Sequence, residues 1–290
     1  MQTRSLRLAQ CVELACLMEV TAAKPGNVHR GSDFEDLNFF DFQLSAVALG
    51  PVMEQAAHES WPLGKTILAA VEATQSLVQT NTNLGTILLL APLILANPEK
   101  PLSQATVAEV LQRLTPEDSH HVYQAILLAK PGGMGKVEEG DLTEPPPEDL
   151  LAAMQHAAER DLVAQQYVTD FSLVLGEVKE WLLEGMKADW PWQDTIIHAQ
   201  IRLLVHYPDS LIARKCGLET ALQARWWAQM VLDCGTPKDP GYFNALKSLD
   251  FWLRSDGQKR NPGTTADLIA AGLFVLLRDG ELKPPFKMVV

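Results

Sequence analysis

Apolar residues recur along this chain of 290 residues with the spacing of α-helices. In residues 5–21, the side chains of Leu8, Cys11, Val12, Ala15 and Met18 fall on one stripe of a helix with 3.6 residues per turn. Further helical patterns cover 39–58, 63–79, 84–97, 104–114, 116–130, 148–184, 192–206, 217–233, 240–254 and 264–279. No series of alternating apolar and polar positions indicates a sheet. The pattern predicts an all-α fold with buried central helices.

Two of these segments bear on where the core lies. The segment 264–279 is apolar nearly all round, which is typical of a central, buried helix. The stretch TNTNLGTILLLAPLIL (80–95) contains an apolar run that is shorter than the roughly 20 residues a membrane helix needs. Asn81, Thr82 and Asn83 are good N-cap residues for a helix that begins near Leu84, with Asn83 as the expected cap. One N-cap accounts for only one of these three polar residues. The side-chain amides of Asn can also bind bases, ribose or phosphate.

The most irregular segment is KPGGMGKVEEGDLTEPPPED (130–149), which is rich in Gly, Pro and charge. It is either a linker between two domains or a functional loop on one domain, and the length of the chain admits both. We favour the loop, because loops on rigid scaffolds commonly carry sites. The expectation is therefore a single globular multi-helix domain over residues 1–290.

Charge and cysteine content narrow the class of protein. The net charge of −12 argues against a general nucleic-acid binder, although a small polyanionic ligand stays compatible with it. No signal peptide and no membrane-length apolar segment is found, so we expect a soluble, cytoplasmic protein without membrane contacts. The four cysteines form no CxxC pair, which predicts reduced thiols in the core.

Four breaks between the predicted helices combine Pro and Gly with Lys or Arg and a carboxylate. They are AKPGNVHRGSDFED (23–36), KPGGMGKVEEGD (130–141), YPDSLIARKCG (207–217) and KRNPGTTAD (259–267). Because Pro stops a helix and Gly permits positive φ, plain helix punctuation explains any one break. Gly-rich turns before helices also expose N–H groups that suit phosphate, and nearby charges suit a Mg²⁺-bound polyphosphate. The recurrence of four such breaks in an acidic chain favours a ligand site.

Two carboxylates lie on predicted interior faces. Glu19 falls within the apolar stripe of the first helix, whereas Glu13 points the opposite way. A buried Glu needs a partner because an unpaired buried charge is costly, and Lys24, His29 and Arg30 follow closely. A structural ion pair and a functional role both stay open for Glu19.

Asp267 shares a face with Ala270, Ala271 and Phe274 of the predicted last helix. It also stands three residues after Thr264, which fits a capping box in which the acid returns a hydrogen bond to the cap backbone. Capping and a functional role are therefore both open for this residue.

Five segments occur in an order that resembles a known family. They are EVTAAKPGNVHRGSDFEDLNFFDFQLSA (19–46), TNTNLGTILLLAPL (80–93), GGMGKVEEGD (132–141), PDSLIARKCG (208–217) and NPGTTADL (261–268). Together they resemble the triphosphoribosyl-dephospho-CoA synthase family over most of the chain. The resemblance implies an all-α, single-domain transferase in which ATP loses adenine and its triphosphoribosyl group passes to the 2′-hydroxyl of 3′-dephospho-CoA. The product is the precursor of the prosthetic group of lyase acyl carrier proteins.

The chain departs from the family pattern at one motif that matters. Well-characterised members read NTHKG where this chain reads NTNLG, so Asn83 and Leu84 replace a His and a Lys. This version is similar to a divergent branch found in archaea and in bacteria with methanopterin-type one-carbon metabolism. The residues that match the family pattern are Lys24, Pro25, Gly26, Arg30, Asn81, Thr82, Gly85, Asp209, Arg214, Pro262, Gly263, Ala266 and Asp267.

The resemblance implies roles for these residues. The bond at ribose C1′ would break through an oxocarbenium-like state that calls for a carboxylate, and the candidates are Glu19 and Asp267. The triphosphate would be held by Lys24, Arg30, Arg214 and Lys215. The base or ribose would contact Asn81 and Asn83. The predicted nucleotide-binding set also includes Gly26, His29, Thr82, Gly85, Lys136 and Gly263. Mg²⁺ would bridge the triphosphate to Asp33, Asp36, Glu138 or Asp209.

The expected partners are ATP with Mg²⁺ and dephospho-CoA or a related small acceptor. One alternative is a nucleotide-dependent transferase or N-glycosidase of one-carbon coenzyme synthesis, which would release adenine from ATP without dephospho-CoA. Another is a non-catalytic ATP-binding relative, which would bind Mg²⁺–ATP without releasing adenine.

Overall fold

The computed structural model describes residues 6–130 and 147–286, and within these ranges the chain is helical and contains no β-strand. The helices are α1 Leu8–Thr21, α2 Phe39–His58, α3 Leu63–Leu77, α4 Leu84–Leu95, α5 Gln104–Leu111, α6 Pro116–Ala129, α7 Leu150–Ala157, α8 Leu162–Val168, α9 Lys179–Lys187, α10 Trp192–His206, α11 Ser210–Cys216, α12 Leu218–Asp233, α13 Pro240–Arg254 and α14 Gly263–Arg278. A π-helical turn, Val174–Val178, runs directly into α9. The all-α expectation is confirmed.

The prediction of one helical pattern over 148–184 is wrong, because local backbone features interrupt it. The carboxylate of Asp161 accepts hydrogen bonds from the N–H groups of Val163 and Ala164, which starts α8 as a separate helix. Asp170 and Phe171 then adopt positive φ angles of 49° and 61°, which end the helical course before the π-helical turn.

A second difference concerns the third predicted break, residues 207–217, which contains the short helix α11. Asp209 starts this helix by accepting hydrogen bonds from the N–H groups of Leu211 and Ile212. The sequence showed Pro and Gly at its ends but too few residues between them for a periodic pattern.

The predicted central position of the last helix is confirmed. In α14, a run of buried residues extends from Leu268 to Leu277. The helix packs against α1, α4, α10 and the π-helical turn, and all of these elements share one hydrophobic core. Burial of a helix on every side excludes water from its backbone, so α14 is a rigid support for residues at its ends.

The first break, 23–36, is fixed by polar contacts with three other segments. Gly26 has a φ angle of 75° and its N–H donates to Asp250 of α13 at 2.8 Å. The side chain of Asn27 donates to Asn261 at 2.6 Å and accepts from Gln200 of α10 at 2.8 Å. A Cβ atom on residue 26 would lie 2.8 Å from the side chain of Leu253, so glycine is required there.

Two further expectations can be compared with the structure. No helix in the described part of the chain is long and apolar enough to cross a membrane. All four cysteines are free thiols, as expected. Cys11 is buried in the core and Cys16 and Cys216 are partly buried against it, whereas Cys234 is exposed, so the expected core position is wrong for Cys234. Cys234 lies directly after α12, where the chain turns at the surface.

Candidate functional site

A pocket opens where the C-terminal half of α1 meets the N-terminal turns of α4 and α14. It has about 820 Å³ of empty space when its open mouth is included. Its polar lining residues are Glu19, Asn27, Ser45, Asn81, Thr82, Asn83, Thr86, Asn261 and Asp267. Among the described lining residues there is no lysine or arginine.

The start of α4 forms one wall of the pocket. The side chain of Asn81 accepts a hydrogen bond from the N–H of Leu84 at 3.1 Å. Asn83 holds the N-cap position, as expected, but its side chain makes no hydrogen bond to the helix. The cap bond comes from two residues earlier, which leaves the buried side chain of Asn83 against the pocket. Thr82 is fixed by a 2.6 Å hydrogen bond with Ser45 of α2.

Asp267 is placed by contacts with α4. The hydroxyl of Thr86 donates to Asp267 Oδ1 at 2.6 Å. Its Oδ2 lies against the bare Cα of Gly85, where a Cβ atom would be only 2.1 Å away. The capping box considered for Asp267 is not formed, because Pro262 is at the N-cap position of α14 without a side-chain cap bond. Gly85 therefore provides the room that Asp267 occupies.

The protonation of Asp267 is strongly affected by this environment. Burial of the carboxyl group raises its pKa to about 8, and the nearby charge of Glu19 adds to this effect. The hydrogen bond from Thr86 acts in the opposite direction, because it stabilises the charged carboxylate. At neutral pH, Asp267 thus holds a proton in a pocket that also contains Glu19.

Glu19 is paired with Lys24, one of the three partners that the sequence suggested. Lys24 Nζ lies 2.7 Å from Glu19 Oε1 and also donates to the backbone oxygen of Glu19 at 2.5 Å. Lys24 is 0% exposed and does not line the pocket, whereas Glu19 is 8% exposed and does. The two residues form one unit in which only the carboxylate reaches the pocket.

The other predicted cations among the described residues lie outside the pocket lining. Lys215 is partly buried on α11, one helical turn beyond Leu211, which lines the pocket. Its pKa is lowered by burial and by the charge of Arg214, and within the described ranges it forms no ion pair. Arg214 pairs with Asp161 at 3.0 Å. Arg30 is exposed at the surface.

Of the predicted residues His29 and Gly263, only Gly263 is among the described lining residues of the pocket. The ring of His29 accepts a hydrogen bond from the N–H of Gly31, and burial lowers the pKa of the ring. Gly263 lines the pocket, and a Cβ atom there would lie 2.6 Å from the side chain of Leu211. Predicted residues Lys136 and Glu138 lie outside the described residues.

The three predicted metal ligands within the described ranges each accept hydrogen bonds from protein groups. Asp209 is 0% exposed and accepts four hydrogen bonds, from the N–H groups of Leu211 and Ile212 and from the N–H and hydroxyl of Thr265. Asp33 accepts from the N–H of Phe39, and the side chain of Asp36 accepts from Gln258. In the described part of the chain, no three His, Cys, Asp or Glu residues are grouped as a metal site would require. The four contacts of Asp209 use its acceptor capacity within the protein.

Several lining residues were not predicted from the sequence. Asn27 and Asn261 stand in two of the recognised breaks, so their position beside Pro-Gly turns was an available signal. Thr86 directly follows the NTNLG motif, and its role depends on α14, which lies 181 residues further along the chain. Phe42 and Ser45 look like ordinary positions of an amphipathic helix, and nothing local distinguishes them.

Comparison with known proteins gave a match to a family model. The model of the CitG family, described as ATP:dephospho-CoA triphosphoribosyl transferase, matches residues 5–285. That range includes all the described residues of the pocket. No curated protein and no solved structure matched the chain.

Proposed function

Because the chain belongs to the family of ATP:dephospho-CoA triphosphoribosyl transferases, we propose that the pocket between α1, α4 and α14 is its active site. The protein transfers the triphosphoribosyl group of ATP to 3′-dephospho-CoA and releases adenine. Such a site has to act on the bond between ribose C1′ and adenine. The observation that carries the proposal is that Glu19 and Asp267 line the same pocket, since paired carboxylates are the groups used in glycosidic-bond chemistry.

The reaction at ribose C1′ needs two proton transfers, one to the leaving adenine and one from the acceptor hydroxyl, and each carboxyl group would carry out one of them. Adenine leaves more readily if one of its ring nitrogens gains a proton as the C1′–N9 bond breaks, which requires an acid. The acceptor hydroxyl loses its proton as its oxygen bonds to C1′, which requires a base. The acid gives one proton to adenine and the base takes one from the acceptor hydroxyl. Transfer of one proton from the base to the acid, directly or through solvent, therefore restores both groups.

Asp267 is the proposed acid and Glu19 the proposed base. Asp267 retains its proton at neutral pH because burial raises its pKa to about 8. Glu19 Oε1 lies 2.7 Å from the ammonium group of Lys24, with which it forms an ion pair. A carboxyl group that holds a proton beside an ion-paired carboxylate offers the two halves of an acid and base pair.

The triphosphate is proposed to lie at the rim of the pocket rather than at its base. The carboxylate of Glu19 would repel phosphate, and no cation among the described lining residues would offset it. Lys215, one turn from the lining residue Leu211, is the best-placed cation for this role, with exposed Arg30 as the second. Mg²⁺ would enter as part of the substrate, bound to the triphosphate of ATP, whose charge it reduces.

Asn83 and Phe42 are the proposed contacts for the nucleoside. The side chain of Asn83 is buried in the pocket wall and does not bond to its own helix, so its amide is available to a base or a ribose hydroxyl. Phe42 is the one aromatic ring among the described lining residues. A base stacked on an aromatic ring gains about 1–3 kcal/mol.

Lys215→Met is expected to raise the KM for ATP about tenfold and to change kcat by less than about threefold. A phosphate contact that is the same in substrate and transition state affects binding alone, which is the physical reason. Steady-state kinetics with varied ATP test this, with the exposed Lys247→Met as the matched control. A drop in kcat at unchanged KM would contradict a role for Lys215 in holding the triphosphate.

The rate of adenine release is expected to fall as the pH rises above about 8, because Asp267 then loses the proton that adenine needs. Thr86→Val should shift this decline to higher pH, since it removes the hydrogen bond that lowers the pKa of Asp267. Profiles of kcat against pH for both proteins test the assignment. If the decline stays at the same pH in Thr86→Val, Asp267 is not the group that titrates.

The proposed function itself is tested by incubating the protein with Mg²⁺, ATP and dephospho-CoA and analysing the products by mass. We expect adenine and the coupled triphosphoribosyl product in equal amounts. A parallel incubation without dephospho-CoA is the control, because adenine formed there would indicate an N-glycosidase. Binding of Mg²⁺–ATP without adenine under either condition would indicate a non-catalytic relative and overturn the proposal.

A further inference from the structure

We propose that Lys24 is a positioning residue that holds Glu19 in the pocket and makes no contact with the triphosphate. This inference rests on the proposed function, in which Glu19 accepts the proton of the acceptor hydroxyl. It differs from the role that the family resemblance implied for Lys24, which was to hold the triphosphate. The argument comes from the contacts of the ammonium group and from its burial.

The ammonium group of Lys24 makes its three polar contacts within α1 and the turn that follows it. Nζ forms an ion pair with Glu19 Oε1 at 2.7 Å and donates to the backbone oxygens of Glu19 at 2.5 Å and of Ala22 at 3.4 Å. These contacts, all within the protein, equal in number the three N–H bonds of an ammonium group. The side chain is also 0% exposed, which keeps it away from any molecule in the pocket.

The same contacts fix the carboxylate of Glu19 on the pocket side. Oε1 is held by Lys24, whereas Oε2 has no hydrogen bond or ion pair with the described residues. Since Glu19 lines the pocket, Oε2 is the oxygen that a substrate hydroxyl would meet. A buried ammonium costs free energy unless it is paired, so Lys24 and Glu19 depend on each other. Lys24 also binds carbonyl groups at the C-terminal end of α1, which fixes the backbone that carries Glu19.

A double-mutant cycle separates positioning from phosphate binding. Lys24→Met is expected to lower kcat about 10- to 100-fold in the otherwise wild-type protein, with the KM for ATP changed less than about threefold. In the Glu19→Gln background the same substitution should change kcat less than about threefold, because there is no carboxylate left to position. A purely structural loss would be the same in both backgrounds. The exposed Lys65→Met is the matched control.

Binding of Mg²⁺–ATP, measured by calorimetry, gives a readout that does not require turnover. The double variant Lys24→Met/Glu19→Gln removes both buried charges together, so it is expected to fold even if Lys24→Met alone does not. Its Kd should lie within about threefold of that of Glu19→Gln. A tenfold or larger rise in Kd, or an equal loss of kcat in both backgrounds, would overturn the positioning role. Absence of adenine release by the wild-type protein would instead overturn the proposed function and leave the Kd comparison valid.

Discussion

Asp267→Asn is expected to lower kcat for adenine release by about 10³-fold, because the amide cannot give a proton to the leaving base. General acids contribute about 10²–10⁴ to enzymatic rates, and Asp267 is the carboxyl group in the pocket whose raised pKa suits this task. The substitution keeps the size of the side chain, and the amide oxygen can still accept the hydrogen bond of Thr86. The loss should therefore fall on kcat, with the fold and the KM for ATP little changed. Single-turnover measurement of adenine release provides the test.

The controls for Asp267→Asn follow from the same contacts. Asp233→Asn, an equivalent change on the exposed end of α12, should leave kcat within about threefold of wild type. Thermal unfolding of Asp267→Asn should show the stability of the wild-type protein or a slightly higher one, since a buried ionisable group is replaced by a neutral one. If Asp267→Asn retained kcat within about threefold, another group would have to protonate adenine.

Two positions bear on why the described lining of the pocket contains no lysine or arginine. The family motif that the chain resembles has a His and a Lys at the positions of Asn83 and Leu84, and both residues line the pocket. Leu84 is buried as the first residue of α4, so a lysine at this position would bring its ammonium group to the pocket wall. Under the proposed function, the charge of the triphosphate would therefore be neutralised at the rim of the pocket and by Mg²⁺. Lys215 would then matter more for binding ATP than the motif alone suggests.

Helical periodicity was enough to predict most of the fold and one feature of the site. The angle between successive residues placed Glu19 among the apolar positions of α1, and the structure buries it there with Lys24 as its partner. The same reasoning identified α14 as central. Both inferences depend only on local geometry, which the sequence carries directly.

Contacts between distant segments could not be predicted in the same way. The partner of Asp267 is Thr86, and nothing near Asp267 in the sequence indicates that α4 lies beside it. Local reasoning therefore favoured a capping box with Thr264, which the structure does not contain. The proximity of acids to basic residues also suggested metal ligands, but Asp209 and Asp33 instead accept hydrogen bonds from backbone N–H groups. Acidic side chains near the starts of helices can bind a metal or accept hydrogen bonds from backbone N–H groups, and only the packed structure distinguishes the two roles.

Asp209→Ala is expected to lower the free energy of unfolding by about 3–5 kcal/mol, because it leaves several buried donors without an acceptor. Its carboxylate links the start of α11 to the start of α14, through the N–H groups of Leu211 and Ile212 on one side and the N–H and hydroxyl of Thr265 on the other. Each unsatisfied buried donor costs about 1–3 kcal/mol, and partial relaxation makes the total less than their sum. Urea unfolding followed by circular dichroism measures the change.

The effect of Mg²⁺ on this loss of unfolding free energy decides whether Asp209 has a structural or a metal-binding role. If Asp209 is only a hydrogen-bond acceptor, the difference in stability between wild type and Asp209→Ala should be the same with and without Mg²⁺, since the ion stabilises neither protein through this residue. Thr265→Val is the matched control, because it removes one of the four donors and should cost about 1 kcal/mol. A stability difference that grows with Mg²⁺ concentration would mean that the carboxylate binds the ion. In that event the contact between α11 and α14 would have to rearrange when the metal enters, because all four acceptor positions of Asp209 are occupied by protein donors.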